Sequence, residues 1–195
     1  MPFVNILRNI LAMIGALAII AGLAGFVAAQ NFLGKLDPEA PAMYTEFAKR
    51  YMENLDPAVA MVRKVRVEDG LSIDDVIDSM KSLAAGHNML YVGDAPFSRQ
   101  VEAVTGEPYR YVNFLSFCDV GVGAMMADYD NAYTAFMPCR IALVEDNDGT
   151  LWLQMMDLDM MIYGGKPLPP DLRKGALWVS ATLNDILEGA ARGDF

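Results

Sequence analysis

Histidine is almost missing from this chain of 195 residues, in which His87 is the only one. A multi-histidine zinc site and a His-based facial triad are thereby excluded, and a Ser-His-Asp triad would have to use His87 without any nucleophile elbow. His87 itself follows a predicted helix end, where an imidazole faces solvent or caps carbonyls. Positive charge is short too. Beyond residue 30 there are 14 Lys and Arg against all 25 Asp and Glu, a net of −11, so this part is repelled by nucleic acid and anionic headgroups, and nucleic acid is not an expected partner. Gly121-Val122-Gly123 lacks the rest of a dinucleotide fingerprint. The acidic pairs Asp74-Asp75 and Asp157/Asp159 read as a solvated helix face and a strand end. Hydrolase and Rossmann oxidoreductase readings both fail, and no cofactor is implied.

A long apolar run is present, however. Residues 10–29, "ILAMIGALAIIAGLAGFVAA", carry no charge and are long enough to cross a bilayer as a helix. Residues 1–30 are therefore expected to be a transmembrane anchor or signal segment. Val27-Ala28-Ala29 before Gln30 resembles a signal cleavage site, but the run exceeds the usual signal core of roughly 7–15 residues, which favours an uncleaved anchor. Arg8 precedes the run and Lys35 is the only basic residue soon after it. The expected location is the bacterial inner membrane, single-pass, with the C-terminal domain in the periplasm.

Residues 31–57 follow as an amphipathic linker helix bracketed by Pro41 and Pro57, with Tyr44, Phe47, Ala48, Tyr51 and Leu55 at helical spacing. The stripe serves either as a spacer packed on the domain or as a contact to a membrane partner. Residues 58–195 then form one domain. Alternation over 61–67 predicts a strand ended by Asp69-Gly70. Ser72 and Asp75 form a capping box for a helix striped by Ile73, Val76, Ile77, Met80, Leu83 and Ala84, which Gly86 is expected to end. A strand over 89–92, a helix over 98–104, and the apolar run 111–117 come next, then a helix from near Asp119. Residues 141–145 and 151–157 flank "DNDG", a hairpin signal. Finally, Leu172, Ala176, Val179, Leu183, Ile186, Leu187 and Ala190 mark one face of a long helix after Pro169-Pro170. The expected fold class is α+β: a single compact domain with helices packed on one mostly antiparallel sheet, preceded by one transmembrane helix.

From about residue 65 to 186 the elements "FLSFCD", "MPCRIALVED" and "NDGTLWLQMMD" resemble the domain-of-unknown-function 302 family in the order and spacing of two cysteines. The resemblance implies a compact α+β fold, often a dimer, with no established reaction, in a setting of sulfur or respiratory electron-transfer metabolism. The chain departs from the family pattern where Cys is followed by Asn-Pro, since Asp119-Val120 stands there.

The two cysteines, 21 positions apart, give the candidate binding set Cys118, Asp119, Cys139 and Arg140. Asp119 can cap the helix after Cys118, whose thiol would then feel the positive end of the dipole. Cys139 follows Pro138 and adjoins Arg140, a second source of positive potential. Free cysteine is nevertheless among the most buried residue types. Core packing, a disulfide, and a thiol or metal function all stay open. Met125, Met126, Met137, Met155, Met156, Met160 and Met161 add thioethers that suit Cu(I), yet neighbours such as Met155 and Met156 point to opposite faces of a strand, and no metal site is assigned. Two functional expectations follow. The first is a membrane-tethered exported accessory or binding module, as a subunit of a respiratory or sulfur-metabolism complex, with a protein partner or a homodimer. The second is a thiol-based redox, sulfur-carrier or Cu(I)-handling protein using Cys118 and Cys139.

Overall fold

The computed structural model describes residues 2–195, with side chains from residue 6 onward. Helix α1 (Pro2–Leu33) leads to α2 (Ala40–Asn54) and the single turn α3 (Pro57–Ala60). Then come β1 (Val62–Arg66), α4 (Ile73–Gly86), β2 (Leu90–Ala95), α5 (Phe97–Thr105), β3 (Val112–Cys118) and α6 (Val120–Tyr129). A 3-10 helix (Asn131–Phe136), β4 (Cys139–Glu145), β5 (Leu151–Met156), α7 (Asp159–Tyr163) and α8 (Pro170–Arg192) complete the chain.

The strands form one antiparallel sheet in the order β1-β5-β4-β3-β2. Its register explains the core. Leu115 stands opposite Ile141 and Ile141 opposite Met155, while Leu143 stands opposite Leu153, and all five side chains are buried beneath the helices. The alternate residues Phe114, Ala142 and Gln154 line up on the other face, which the pleat turns away from that core. The predicted stripe of α8, from Leu172 to Ala190, is buried in full. Helix α4 lies beside it, opened by the Ser72–Asp75 capping box. The two helices approach so closely that a Cβ on Gly189 would lie 2.7 Å from Leu83 Cδ1. Helix α4 ends at Gly86, as its sequence position implies; His87 is the C-cap, Asn88 takes the left-handed turn, and His87 Nε2 reaches Asp185 Oδ2 at 2.6 Å.

Helix α1 is the only candidate span among the described residues: Ile6–Leu33 has a hydropathy of 2.6 and is 0% buried, so the helix is long and apolar enough to cross a membrane. Its joint to the domain is built around Asp37, which is wholly buried. The Asp37 N–H donates to the Gly165 carbonyl, and its carboxylate accepts from the Glu39 N–H and from the Arg173 guanidinium at the start of α8.

The linker helix turns a different face to the domain from the one its apolar stripe predicts. Ala40, Met43, Phe47 and Arg50 face inward, whereas Tyr44, Ala48, Tyr51 and Leu55 are exposed. Polar contacts set this rotation. Arg50 donates to Asp157 at 2.7 Å, and the Tyr44 hydroxyl reaches the Gly164 carbonyl at 2.6 Å from the helix flank. Pro41 sits within the first turn instead of before it, where its missing N–H costs nothing.

Candidate functional site

The apolar run of β3 ends at Cys118, and the chain enters α6 one residue later. Asp119 is the N-cap, as its sequence position implies: its Oδ1 accepts the Val122 N–H at 2.7 Å. Cys139 opens β4 directly opposite Phe117, so its side chain falls on the core-facing side of the sheet. The structure therefore brings Cys118 and Cys139 to adjoining strand ends. Both are free thiols, each partly buried.

The electrostatics run against the expectation of activated thiols. Burial, and secondarily the Asp119 carboxylate, push the Cys118 thiol above its ordinary range. Burial pushes Cys139 up to about 11, with the neighbouring Cys118 adding to the shift against a backbone hydrogen bond. Desolvation, which penalises the charged thiolate, is the first cause at both positions. Arg140 supplies no compensation, because successive strand residues alternate across the sheet and its exposed side chain lies on the open face.

Two hollows meet near β4. On the open side, a groove of about 440 Å³ is lined by Phe114, Phe136, Pro138, Arg140, Ala142 and Gln154 among others, and Cys139 reaches its wall. Towards the helices, a cavity of about 30 Å³ is lined by Met126, Met137, Cys139, Met161 and the aromatic rings of Tyr133 and Phe136. Met137, in the wall of the second hollow, also lies near Gly123 of α6. A Cβ on Gly123 would stand 3.4 Å from Met137 Sδ and 3.6 Å from Cys118 Sγ, which places these two sulfurs within about 7 Å of each other. Met137 stood among the soft thioethers of the sequence but outside the candidate binding set. Its signal was the run Met137-Pro138-Cys139, which carries two sulfurs to one strand end.

The remaining acidic candidates are accounted for by structure. Asp157 pairs with Arg50, and Asp74 and Asp75 occupy the first turn of α4. Among the described residues no three His, Cys, Asp or Glu side chains converge to hold a metal ion.

Residues 63–190 match the family described as Domain of unknown function DUF302. No curated protein matches the chain. Among solved structures, it is similar to an uncharacterized conserved protein DUF302 from Bacillus stearothermophilus, with a TM-score of 0.55 and 15% identity over 68% of this chain and 98% of that one. This likeness carries the fold. The family match begins within β1, so α1, α2 and α3 lie outside it.

Proposed function

We propose that this chain, which belongs to the DUF302 family, is a membrane-tethered, exported accessory or binding module. The observation that carries the reading is the fully exposed apolar helix over residues 6–33, joined through the buried Asp37 clamp to a domain with an acidic excess. A helix that is apolar all round and unburied requires a nonpolar surrounding. Arg8 precedes it, which favours the cytoplasmic side for that end and the periplasmic side of a bacterial inner membrane for the domain. At the end of the linker, Tyr51, Met52 and Leu55 are exposed apolar side chains, followed by Val59 of α3, with Leu55 73% accessible. Such side chains fit a protein partner held at the membrane, and the context of the family points to a respiratory or sulfur-metabolism complex.

Protease added to intact spheroplasts is expected to digest the domain. Its protection until detergent is added would overturn the topology, and a mature chain beginning at Gln30 would overturn the tether alone. Native purification in mild detergent, compared between the parent and a Met52→Glu/Leu55→Glu variant, reads the partner surface: partners are expected to be lost with the variant.

A second reading, thiol-based redox, sulfur-carrier or Cu(I) chemistry at Cys118 and Cys139, is favoured by the placement of the two thiols at adjoining strand ends, with Met137 near Cys118 across Gly123 and in the same cavity wall as Cys139.

A further inference from the structure

We infer that the open face of the sheet binds a small organic carboxylate, its apolar body lying along the groove beside β4 and its carboxylate held by Arg140. The inference rests on the binding-module reading above and deepens it, but it uses a different surface from the exposed end of the linker.

Strand alternation builds the site. Phe114, Ala142 and Gln154 stand in one row across β3, β4 and β5, and Arg140 lies two residues from Ala142, so all four share the face turned away from α4 and α8. They are half-buried or exposed, whereas their strand neighbours Leu115, Ile141 and Leu153 are buried in the core. Phe136 of the 3-10 helix and Pro138 wall the groove at the start of β4. Its volume of about 440 Å³ lies within the range of roughly 300–1,000 Å³ that small-molecule sites occupy.

Charge selects the ligand. The strands carry the cations Arg63, Lys64, Arg66 and Arg140. Arg63 holds Glu188, Lys64 holds Asp146 and Arg66 holds Asp69. Among the described residues Arg140 makes no ion pair. No Asp or Glu lines the groove either, in a chain that has 25 of them. A guanidinium beside apolar walls presents a planar fork that matches one carboxylate through two charge-assisted hydrogen bonds. Gln154 is a diagonal neighbour of Arg140 on the adjoining strand, about 7–8 Å away, and its amide offers a donor and an acceptor to a second polar atom of the ligand.

Other occupants match this surface less well. A cation is repelled by Arg140. A phosphate group carries about two charges and three acceptor oxygens, but meets one fork among apolar walls, and the net of −11 beyond residue 30 opposes multiply charged ligands. A second copy packed face to face would bring two Arg140 guanidinium groups together with no carboxylate in either groove to receive them.

The test uses the full chain in nanodiscs of neutral phosphatidylcholine, titrated calorimetrically with 2-naphthylacetate and with its uncharged counterpart 2-naphthylacetamide, against empty nanodiscs. One carboxylate per chain is expected, bound about 10-fold or more tighter than the amide. Arg140→Gln is expected to weaken the carboxylate by about 10-fold or more and leave the amide unchanged, so that the preference disappears. Lys174→Gln, which removes the same charge from an exposed position on α8, is expected to leave both affinities at the parent's values. Ala142→Leu fills the floor of the groove and is expected to abolish binding of both. Thermal melts accompany each variant; should Arg140→Gln fail to fold, the parent's preference for the carboxylate and the loss of binding in Ala142→Leu still decide. Absence of saturable binding, equal affinity for acid and amide in the parent, or an unchanged carboxylate affinity in Arg140→Gln or Ala142→Leu overturns the site. Native mass spectrometry reads the alternative occupant: a dimer that Ala142→Leu dissociates overturns the carboxylate site in favour of a second copy. The partner surface at Met52 and Leu55 fails on a separate result, partners that still co-purify with Met52→Glu/Leu55→Glu.

Discussion

Asp119 has two separable roles, and one pair of substitutions tells them apart. Its carboxylate accepts the Val122 N–H at 2.7 Å and so caps α6. Its charge also adds, after burial, to the upward push on the Cys118 thiol. Helix α6 depends on this cap because Gly121 and Gly123 sit in its opening turns, each about 1 kcal/mol less favourable than alanine in a helix. Asp119→Ala removes both acceptor and charge and is expected to cost about 1 kcal/mol, within a range of about 0.5–2. For a chain of this size that is a fall of roughly 2–4 °C in melting temperature. Asp119→Asn keeps the acceptor, since asparagine caps about as well as aspartate, and removes only the charge.

Stability and thiol chemistry should therefore part company. Asp119→Asn is expected to melt close to the parent while Cys118 ionises at lower pH, because burial alone then holds its thiol up. Peptide-resolved iodoacetamide labelling against pH, on reduced full-length protein, reads Cys118 apart from Cys139, and calorimetry of the same samples reads the cap. In Asp119→Ala faster labelling could come from fraying of α6; in Asp119→Asn it cannot, since the cap remains. A melting temperature that drops equally in both variants would refute the cap, and a Cys118 labelling profile unmoved in Asp119→Asn would refute the electrostatic link.

Three further outcomes are expected. Cys139, held at about 11 chiefly by burial, should label slowly at pH 9, where about one thiol in a hundred is ionised. Because its folded pKa is raised, its contribution to stability is complete below the unfolded thiol value of about 8.5 and is lost as pH climbs towards 11, so denaturant midpoints at pH 8 and 10.5 should differ less in Cys139→Ala than in the parent. Gly175→Ala should destabilise by about 1–2 kcal/mol in a denaturant titration: the new methyl would lie 2.9 Å from Val122 Cγ2, a stiff β-branched neighbour, and overpacking outweighs the gain in helix propensity. Asp37→Ala should raise protease cleavage within residues 34–56; burial pushes the Asp37 carboxyl up, but the Glu39 N–H and Arg173 hold it below its ordinary value, so in the parent the clamp is present above about pH 4 and lost as pH falls through the depressed pKa.

What could be read in the sequence was whatever depends on near neighbours. The capping box of Ser72 and Asp75, the turn Asp146-Asn147-Asp148-Gly149 and the stripe of α8 are all written within a few residues, and each stands where periodicity and turn chemistry put it. The orientation of α2 was not legible. It is fixed by Arg50 reaching Asp157 and Tyr44 reaching Gly164, partners 107 and 120 positions away, and these override an apolar stripe that local spacing makes look like the buried face. Arg140 misled for a related reason: adjacency in a strand separates side chains to opposite faces. Cys118 and Cys139 could be flagged from their positions, and Met137 from the run it shares with Cys139, but the approach of Met137 and Cys118 to Gly123 depends on the pairing of β3 with β4 and the seating of α6, which no local pattern records.

The linker and the cavity beside Cys139 share one short element. Helix α7 is five residues long. Its Met161 and Ile162 wall the cavity beside Cys139, and the turn that follows it, Gly164-Gly165, is the part of the domain that holds the linker, through Tyr44 at one carbonyl and Asp37 at the next. Met43 of α2 also presses on this turn, 3.2 Å from where a Gly164 Cβ would be. Close-packed interiors transmit such displacements instead of absorbing them. A displacement of α2 would therefore be passed through Gly164-Gly165 to the α7 wall of the cavity. In this arrangement the linker joint and the cavity beside Cys139 are two ends of a single packed contact.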